Sequence, residues 1–445
     1  MSSLSEAQAA SVDDQAPTTL GARIRLWLRE SGAGLITGAA DDDPSGIATY
    51  AQSGVQFGYG QLWTALFMLP LLTAVQEACA RIGIVKGKGL AAVIGDNYSK
   101  PVLYVVALLI LVANTIIIGA DIGAMGEAAN LIVPLDPILL MLVFAVLIIG
   151  CQVFVPYRRY ANTLKWLTLS LLAYPLTVLV VSVPWGEVLR ATFVPHIELS
   201  FAFLFVITGV LGTTISPYMF FWQTSEEVED AIAANRLVPG GQPTVTPSLL
   251  RAIRLETFVG MFFSEITTWS IIVVAAAVLH NGGVTDIHNA ADAARALLPL
   301  VHTFPNAGLW AEIIFATGIV GLGLLSVPVL AGSAAYALAE AFHWHEGLSL
   351  KLKEAPWFYA VIIAATLIGF LMNLGGLDPM KGLVYAAVIN GVVAVPLLFL
   401  IACIARSERI MGQYKSDRLS DLLLWVTFLG MAAAAIATLA TFGKQ

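Results

Sequence analysis

Three consecutive carboxylates, Asp41, Asp42 and Asp43, are followed at once by Pro44-Ser45-Gly46, inside a stretch otherwise apolar enough to cross a membrane. Acidic side chains at that depth are costly and rare, and they usually face a cavity, an ion or a partner. Proline removes a backbone donor and glycine admits a non-helical backbone, so the chain should unwind here and turn free carbonyls toward whatever the carboxylates hold. The chemistry this describes is cation binding. A second interruption, Ile215-Ser216-Pro217-Tyr218, lies in another apolar run and leads into the acidic run Glu226-Glu227-Val228-Glu229-Asp230.

The elements that must position these residues are transmembrane helices. Of 445 residues, 58% are hydrophobic and only 12% charged, and the mean hydropathy is +0.82. This is the composition of an all-α, multi-spanning integral membrane protein and excludes a soluble one. The lipid bilayer is therefore the one obligatory surrounding, and no protein partner is evident. Net charge is a modest -7 with scattered basic residues, which excludes nucleic-acid binding. Cys79, Cys151 and Cys403 lack CxxC spacing and a neighbouring histidine, and read as small hydrophobes without disulfide or zinc roles. No HExxH motif, nucleophile elbow or paired catalytic aspartate motif is present, so an intramembrane enzyme is the weaker rival and no cofactor is expected.

Residues 1–21 carry Glu6, Asp13 and Asp14, lack an apolar core, and read as a disordered cytoplasmic tail. Eleven spans follow, at about 32–57, 62–84, 102–131, 138–155, 160–183, 201–231, 255–279, 310–341, 357–374, 380–404 and 419–442. Span one holds the acidic break and span six the second break. The transporter core is expected over residues 22–404, with repeats at about 32–183 and 201–404; residues 405–445 add a cytoplasmic linker and span eleven. With the N-terminus inside, nineteen of the 23 Lys and Arg fall on cytoplasmic flanks, and only Arg190, Arg295, Lys381 and Lys444 fall outside. The Pro156-Tyr157-Arg158-Arg159 junction is then cytoplasmic and the C-terminus external. Because the breaks occupy the first span of each set of five, and spans one and six run in opposite senses, the pattern points to inverted repeats with a midplane binding site.

The residues also resemble a known family. Gly34-Leu35-Ile36-Thr37-Gly38 through Asp43-Pro44-Ser45-Gly46, then Phe57-Gly58-Tyr59 and Leu62-Trp63, resemble the first two helices of the NRAMP divalent metal transporters, whose first-helix motif is Asp-Pro-Gly-Asn. Gly212-Thr213-Thr214-Ile215-Ser216-Pro217-Tyr218 resembles that family's Ala-x-x-Met-Pro-His break. The likeness spans the first ten helices and implies a leucine-transporter-like fold. It implies that Asp43 binds metal, that Gly46 stands in place of an asparagine ligand, and that Thr213 offers a backbone carbonyl. It further implies that Ser216 replaces the methionine ligand and Tyr218 the histidine associated with proton movement. Asp121 matches one acidic residue of the family's proton route, and Ala124 replaces the neighbouring glutamate.

These departures are chemical. A thioether favours softer transition metals, whereas oxygen ligands and water suit hard cations. Exchanging asparagine for glycine should enlarge the cavity, and magnesium dehydrates reluctantly, keeping waters while bound by one or two carboxylates. The pattern is similar to the NRAMP-related magnesium transporters, which implies alternating access for hydrated magnesium, with manganese also possible, in a bacterial plasma membrane. The alternatives are a proton-coupled manganese or iron transporter, and a sodium-coupled organic-solute symporter of the same fold, whose anionic substrate three aspartates would repel.

Each candidate has a plainer reading. Asp43 could cap the helix after the break. Successive helical residues point about 100° apart, so only one of Asp41 and Asp42 is expected to join the cavity, with Asp42 the candidate as an outer-shell or entrance group. Ser216 could simply bond between helices, and Asp121 could pair across the bundle. Glu77 and Arg81, at i,i+4, read as a salt bridge. Glu265, Glu312 and Asn390 are weaker candidates, Glu226 to Asp230 reads as a solvated face, and His280, His288 and His302 read as surface residues.

Overall fold

The computed structural model describes residues 38, 41–155, 167–234, 236–237, 244–376 and 378–441. The expected N-terminal tail, the start of span one with its Gly34–Thr37 stretch, the 156–159 junction, most of the 237–247 loop and Lys444 lie outside the described residues. Within them the chain is helical: α1 (Pro44–Phe57), α2 (Trp63–Lys86), α3 (Lys100–Asn130), α4 (Pro137–Phe154), α5 (Ala173–Val180), α6 (Phe201–Thr214), α7 (Pro217–Ala233), α8 (Pro247–Val274), α9 (Ala307–Phe342), α10 (Pro356–Asn373), α11 (Pro379–Arg406) and α12 (Arg418–Thr441). Nine segments among the described residues are long and apolar enough to span a bilayer, with α6 and α7 counted as one. The described parts of spans one and five, α1 and the 3-10 turn Leu167–Leu172 leading into α5, bring the series to the expected eleven.

Helix starts follow a repeated local rule. Asp43-Pro44, Asp136-Pro137, Thr246-Pro247 and Asp378-Pro379 each place a polar residue at the N-cap, whose side chain accepts a backbone N–H of the first turn. Proline comes next, where its missing N–H would have had no helical partner. Ser216-Pro217 has the same arrangement, but the serine hydroxyl does not cap the helix.

Helices approach through small residues, as they must where apolar lipid gives no drive to interdigitate large ones. An added Cβ at Gly212 of α6 would lie 2.3 Å from the Ala387 carbonyl and the Gly391 nitrogen of α11. Similar close approaches join Gly119 of α3 to Gly369 of α10, Gly54 of α1 to Ile272 of α8, and Gly83 of α2 to Thr224 of α7. Spans at matching positions of the two sets of five pack together: α1 with α6, α2 with α8, α3 with α9 and α4 with α10.

Contacts between connecting segments gather at two ends of the bundle. At one end Arg81 reaches the Tyr414 carbonyl (3.1 Å) and Ser416 Oγ, and Lys86 reaches the Ile410 carbonyl. There Arg254 bridges Glu77 (3.4 Å) and Asp417, joining α2, α8 and the segment before α12. Glu77 and Arg81 do form the expected i,i+4 bridge, at 3.3 Å, but both are buried within this network. At the opposite end Trp63 donates to the His196 carbonyl, and Gln52 Nε2 donates to Asp286 Oδ1 at 2.6 Å.

The acidic run is not a solvated face. Glu226 and Glu227 are buried, Gln223 donates to Glu227, and Glu229 accepts from the Tyr336 hydroxyl and the Leu348 N–H. Helix α9 covers this side of α7, which helical periodicity in one segment could not reveal. Glu346, on the loop after α9, is held by burial, with Glu340 and Glu229 nearby, up to about 10. His288 and His302 are exposed, as is His280, whose Nδ1 nonetheless bonds to the Val55 carbonyl at the end of α1.

Valine at Gly212 should destabilise the bundle by about 1–3 kcal/mol, because the opposing atoms are backbone and cannot turn aside. Gly430→Val, where nothing lies within 4 Å, should leave the melting temperature unchanged. Thermal unfolding of both variants in detergent checks the contrast, and equal melting points would show that the α6–α11 approach is not tight.

Candidate functional site

Both interruptions are real and adjacent. Asp43 has an extended backbone (φ -67°, ψ 172°) between helical Asp41 and α1, while Ile215 and Ser216 leave helical geometry between α6 and α7. Helix α1 packs on α6 and α11, bringing the two breaks together with Asn390.

Asp43 performs the capping role and keeps a free side. Its Oδ1 accepts from Ser45 Oγ (2.6 Å) and the Gly46 N–H (2.8 Å), and its Oδ2 accepts from the Tyr218 hydroxyl at 3.3 Å. Ser45 Oγ lies 3.3 Å from Thr213 Oγ1, tying the first break to the second. Ser216 Oγ donates toward the Thr213 carbonyl (2.6 Å) and accepts from Asn390 Nδ2 (3.2 Å). The Thr213 carbonyl has a second lone pair, and the Asn390 Oδ1 atom is buried without a partner. Asp43, Thr213 and Ser216 are 0–1% exposed, so the site is sealed from solvent. Every polar donor atom here is oxygen or amide, and none is sulfur.

Gly46 departs from expectation. Its lack of a side chain does not open a larger cavity, because an added Cβ would meet Thr213 Oγ1 and the Tyr50 ring, both at 3.2 Å. Tyr50 fills the space, one helical turn beyond Gly46, and its hydroxyl pairs with Thr214 Oγ1 at 3.0 Å.

Asp41 and Asp42 are not parted by helical rotation as expected. Both are buried, and both accept from the single hydroxyl of Ser264 on α8, at 2.8 and 3.2 Å. The helical rotation between neighbours is lost where the backbone leaves the helix at Asp42. Asp121 is fully buried, with Oδ2 accepting from Ser326 of α9 and Oδ1 unpartnered; it lies within electrostatic reach of Asp43. Glu312 is half-buried on α9 fourteen residues before Ser326, about 20 Å along the helix, and is not part of this constellation. Among the described residues, no three His, Cys, Asp or Glu side chains stand close enough to chelate one ion. Ser45, Tyr50, Ser264 and Ser326 were not singled out from the sequence, where isolated hydroxyls in apolar runs give no signal.

Two sets of five spans, the first of each broken where the two breaks meet, define a leucine-transporter-like membrane protein. The family model of natural resistance-associated macrophage protein-like proteins matches residues 34–441, and the chain belongs to that family. The divalent metal cation transporter MntH of Agrobacterium fabrum is 26% identical over 435 residues, covering 92% of this chain and 87% of that protein. MntH of Klebsiella pneumoniae strain 342 is 26% identical over 411 residues, covering 88% of each. Among solved structures, the manganese transporter of Eremococcus coleocola superposes with a TM-score of 0.71 at 15% identity, covering 97% of this chain and 90% of that one. Mhp1, a nucleobase-cation-symport-1 transporter, superposes with a TM-score of 0.50 at 14% identity, covering 93% of each chain. These relatives are transporters, not enzymes.

Asparagine caps a helix as well as aspartate but carries no charge. Asp43→Asn should therefore abolish metal uptake while leaving the melting temperature near wild type, and Asp43→Ala should abolish uptake and also cost about 1 kcal/mol through the lost cap. Uptake into proteoliposomes together with thermal unfolding separates the two roles; full uptake by Asp43→Asn would remove this carboxylate from the site.

Proposed function

We propose that this protein carries divalent metal cations across a bacterial plasma membrane by alternating access between its two five-helix repeats, and that the cation is a hard one, magnesium first and manganese second. The observation that carries this reading is the sealed junction of two broken helices, where the Asp43 carboxylate, the Ser216 hydroxyl and the Thr213 carbonyl are offered without sulfur. Oxygen donors of this kind suit magnesium, calcium and manganese. The names of the relatives, a divalent metal cation transporter and a manganese transporter, support the class and favour manganese within it.

In this reading Asp43 is the one charged ligand, Thr213 and Ser216 add neutral oxygens, and Gly46 serves by letting Tyr50 close the wall. Asp42 stands just outside. The N-terminus lies in the cytoplasm and the C-terminus outside, supported by the gathering of the basic segments at one end of the bundle. Residues 1–21 form a tail, 22–404 the transporter core, and 405–445 a linker and final span.

Selectivity is tested by restoring the soft ligand. Ser216→Met with Gly46→Asn should raise the manganese-to-magnesium uptake ratio, and Gly46→Asn alone should mainly slow uptake, since its side chain must displace Tyr50. An unchanged ratio in an active double variant would place selectivity elsewhere.

Transport is also read as not obligatorily coupled to protons. A tyrosine, with a reference pKa near 10, occupies the position of the family's histidine, and Ala124 cannot titrate. Asp121, bonded to Ser326, would have to carry the proton alone. Magnesium entry into sealed vesicles at a clamped potential should thus proceed with little internal acidification. Stoichiometric acidification that Asp121→Asn removes would overturn this.

A further inference from the structure

Glu265 of α8 is a carboxylate in the middle of a membrane-spanning segment, 4% exposed, and neither of its oxygens has a hydrogen-bond partner among the described residues. It follows Ser264 directly, the residue whose hydroxyl is shared by Asp41 and Asp42, and it lies within electrostatic reach of both aspartates. Asp41 Oδ1 is likewise buried and has no partner among the described residues. Three buried carboxylates thus lie near one another, two of them sharing the Ser264 hydroxyl and Asp42 also beside Thr268. No Lys or Arg is bonded to any of the three in the described residues. Carboxylates this crowded and this deeply buried keep their charge only when a positive ion stands among them.

The transport mechanism given above uses Asp43, sets Asp42 just outside it, and leaves Asp41 and Glu265 without a task. Tyr50 separates the two: its ring packs at Gly46, its hydroxyl is taken by Thr214, and it lies near Asp41, Asp42 and Glu265. The acidic group therefore belongs to the α8 side of the first break, on the side from which residue 41 arrives.

We propose that Asp41, Asp42 and Glu265 form a second divalent-cation site beside the Asp43 site, holding the ion through its water shell. The proposal rests on the reading of the chain as a divalent-cation transporter. Outer-sphere binding follows from the spacing, since no three such groups stand close enough to coordinate a bare ion. It also follows from the chemistry, since magnesium-like ions part with water reluctantly and carboxylates can bond to that water. Unpartnered oxygens on Glu265 and Asp41 are the acceptors that a hydrated ion's waters would fill. An ion here would wait one step from Asp43, separated from it by the break itself.

The test counts ions. Full-length protein in lipid nanodiscs is equilibrated with Mn2+, bound metal is measured by atomic emission, and water protons around the bound ion are measured by electron–nuclear double resonance. The wild type should bind two ions at saturation, and Glu265→Gln and Asp43→Asn should each bind one. The ion kept by Asp43→Asn should retain a full water shell and be displaced by Mg2+. Asp41→Asn gives the same readout should Glu265→Gln fail to purify as a monodisperse species. A single wild-type ion that Asp43→Asn removes and Glu265→Gln leaves would overturn the second site while the transport reading stands. Two ions in Glu265→Gln and Asp41→Asn would overturn it as well, and binding indifferent to all three variants would overturn both readings.

Discussion

A helix interrupted at the depth of a membrane exposes amides and carbonyls where no water can satisfy them, and the whole interior is arranged around that difficulty. Asp43 answers one set of amides by capping α1, and Ser216 answers carbonyls at the end of α6. Neither answer is complete alone. The capping carboxylate brings a charge that itself needs compensation, which Tyr218 and Ser45 supply in part and the proposed cation would complete. The proposed binding site would thus complete a hydrogen-bonding deficit, and such a deficit is greatest where two breaks meet.

Much of this could be read from residue order. Proline after an acidic or hydroxyl residue marked both breaks and the starts of three further helices, and the count of basic residues sorted loops to the end where the structure gathers them. The eleven spans were legible because twenty-residue apolar runs have few alternatives. What could not be read was which faces meet. The burial of Glu226, Glu227 and Glu229 depends on α9, a hundred residues away. The convergence of Asp41 and Asp42 on Ser264 depends on the backbone leaving the helix between them, which invalidates the angular rule used to separate them.

Gly46 shows a subtler limit. Removing a ligand side chain suggests space, but space in a packed interior is claimed by whatever neighbour can reach it. Tyr50 does so from one turn away. The same glycine that the resemblance sets in place of an amide side chain therefore admits an aromatic wall.

The glycine-lined approaches between helices carry a mechanical consequence. Where Gly212 meets Gly391 and Gly119 meets Gly369, backbone comes close to backbone, with a methyl of Thr208 against Gly391 and one of Ile118 against Gly369. Contacts this shallow leave short protrusions, not long interlocked side chains, for one helix to pass when it shifts against the other. The Glu77–Arg81–Arg254–Asp417 lattice at one end is the opposite kind of contact, a riveted joint. Together they make the bundle resemble a set of shallow bearings fixed at one rim, a geometry suited to the rocking that the proposed alternating access requires.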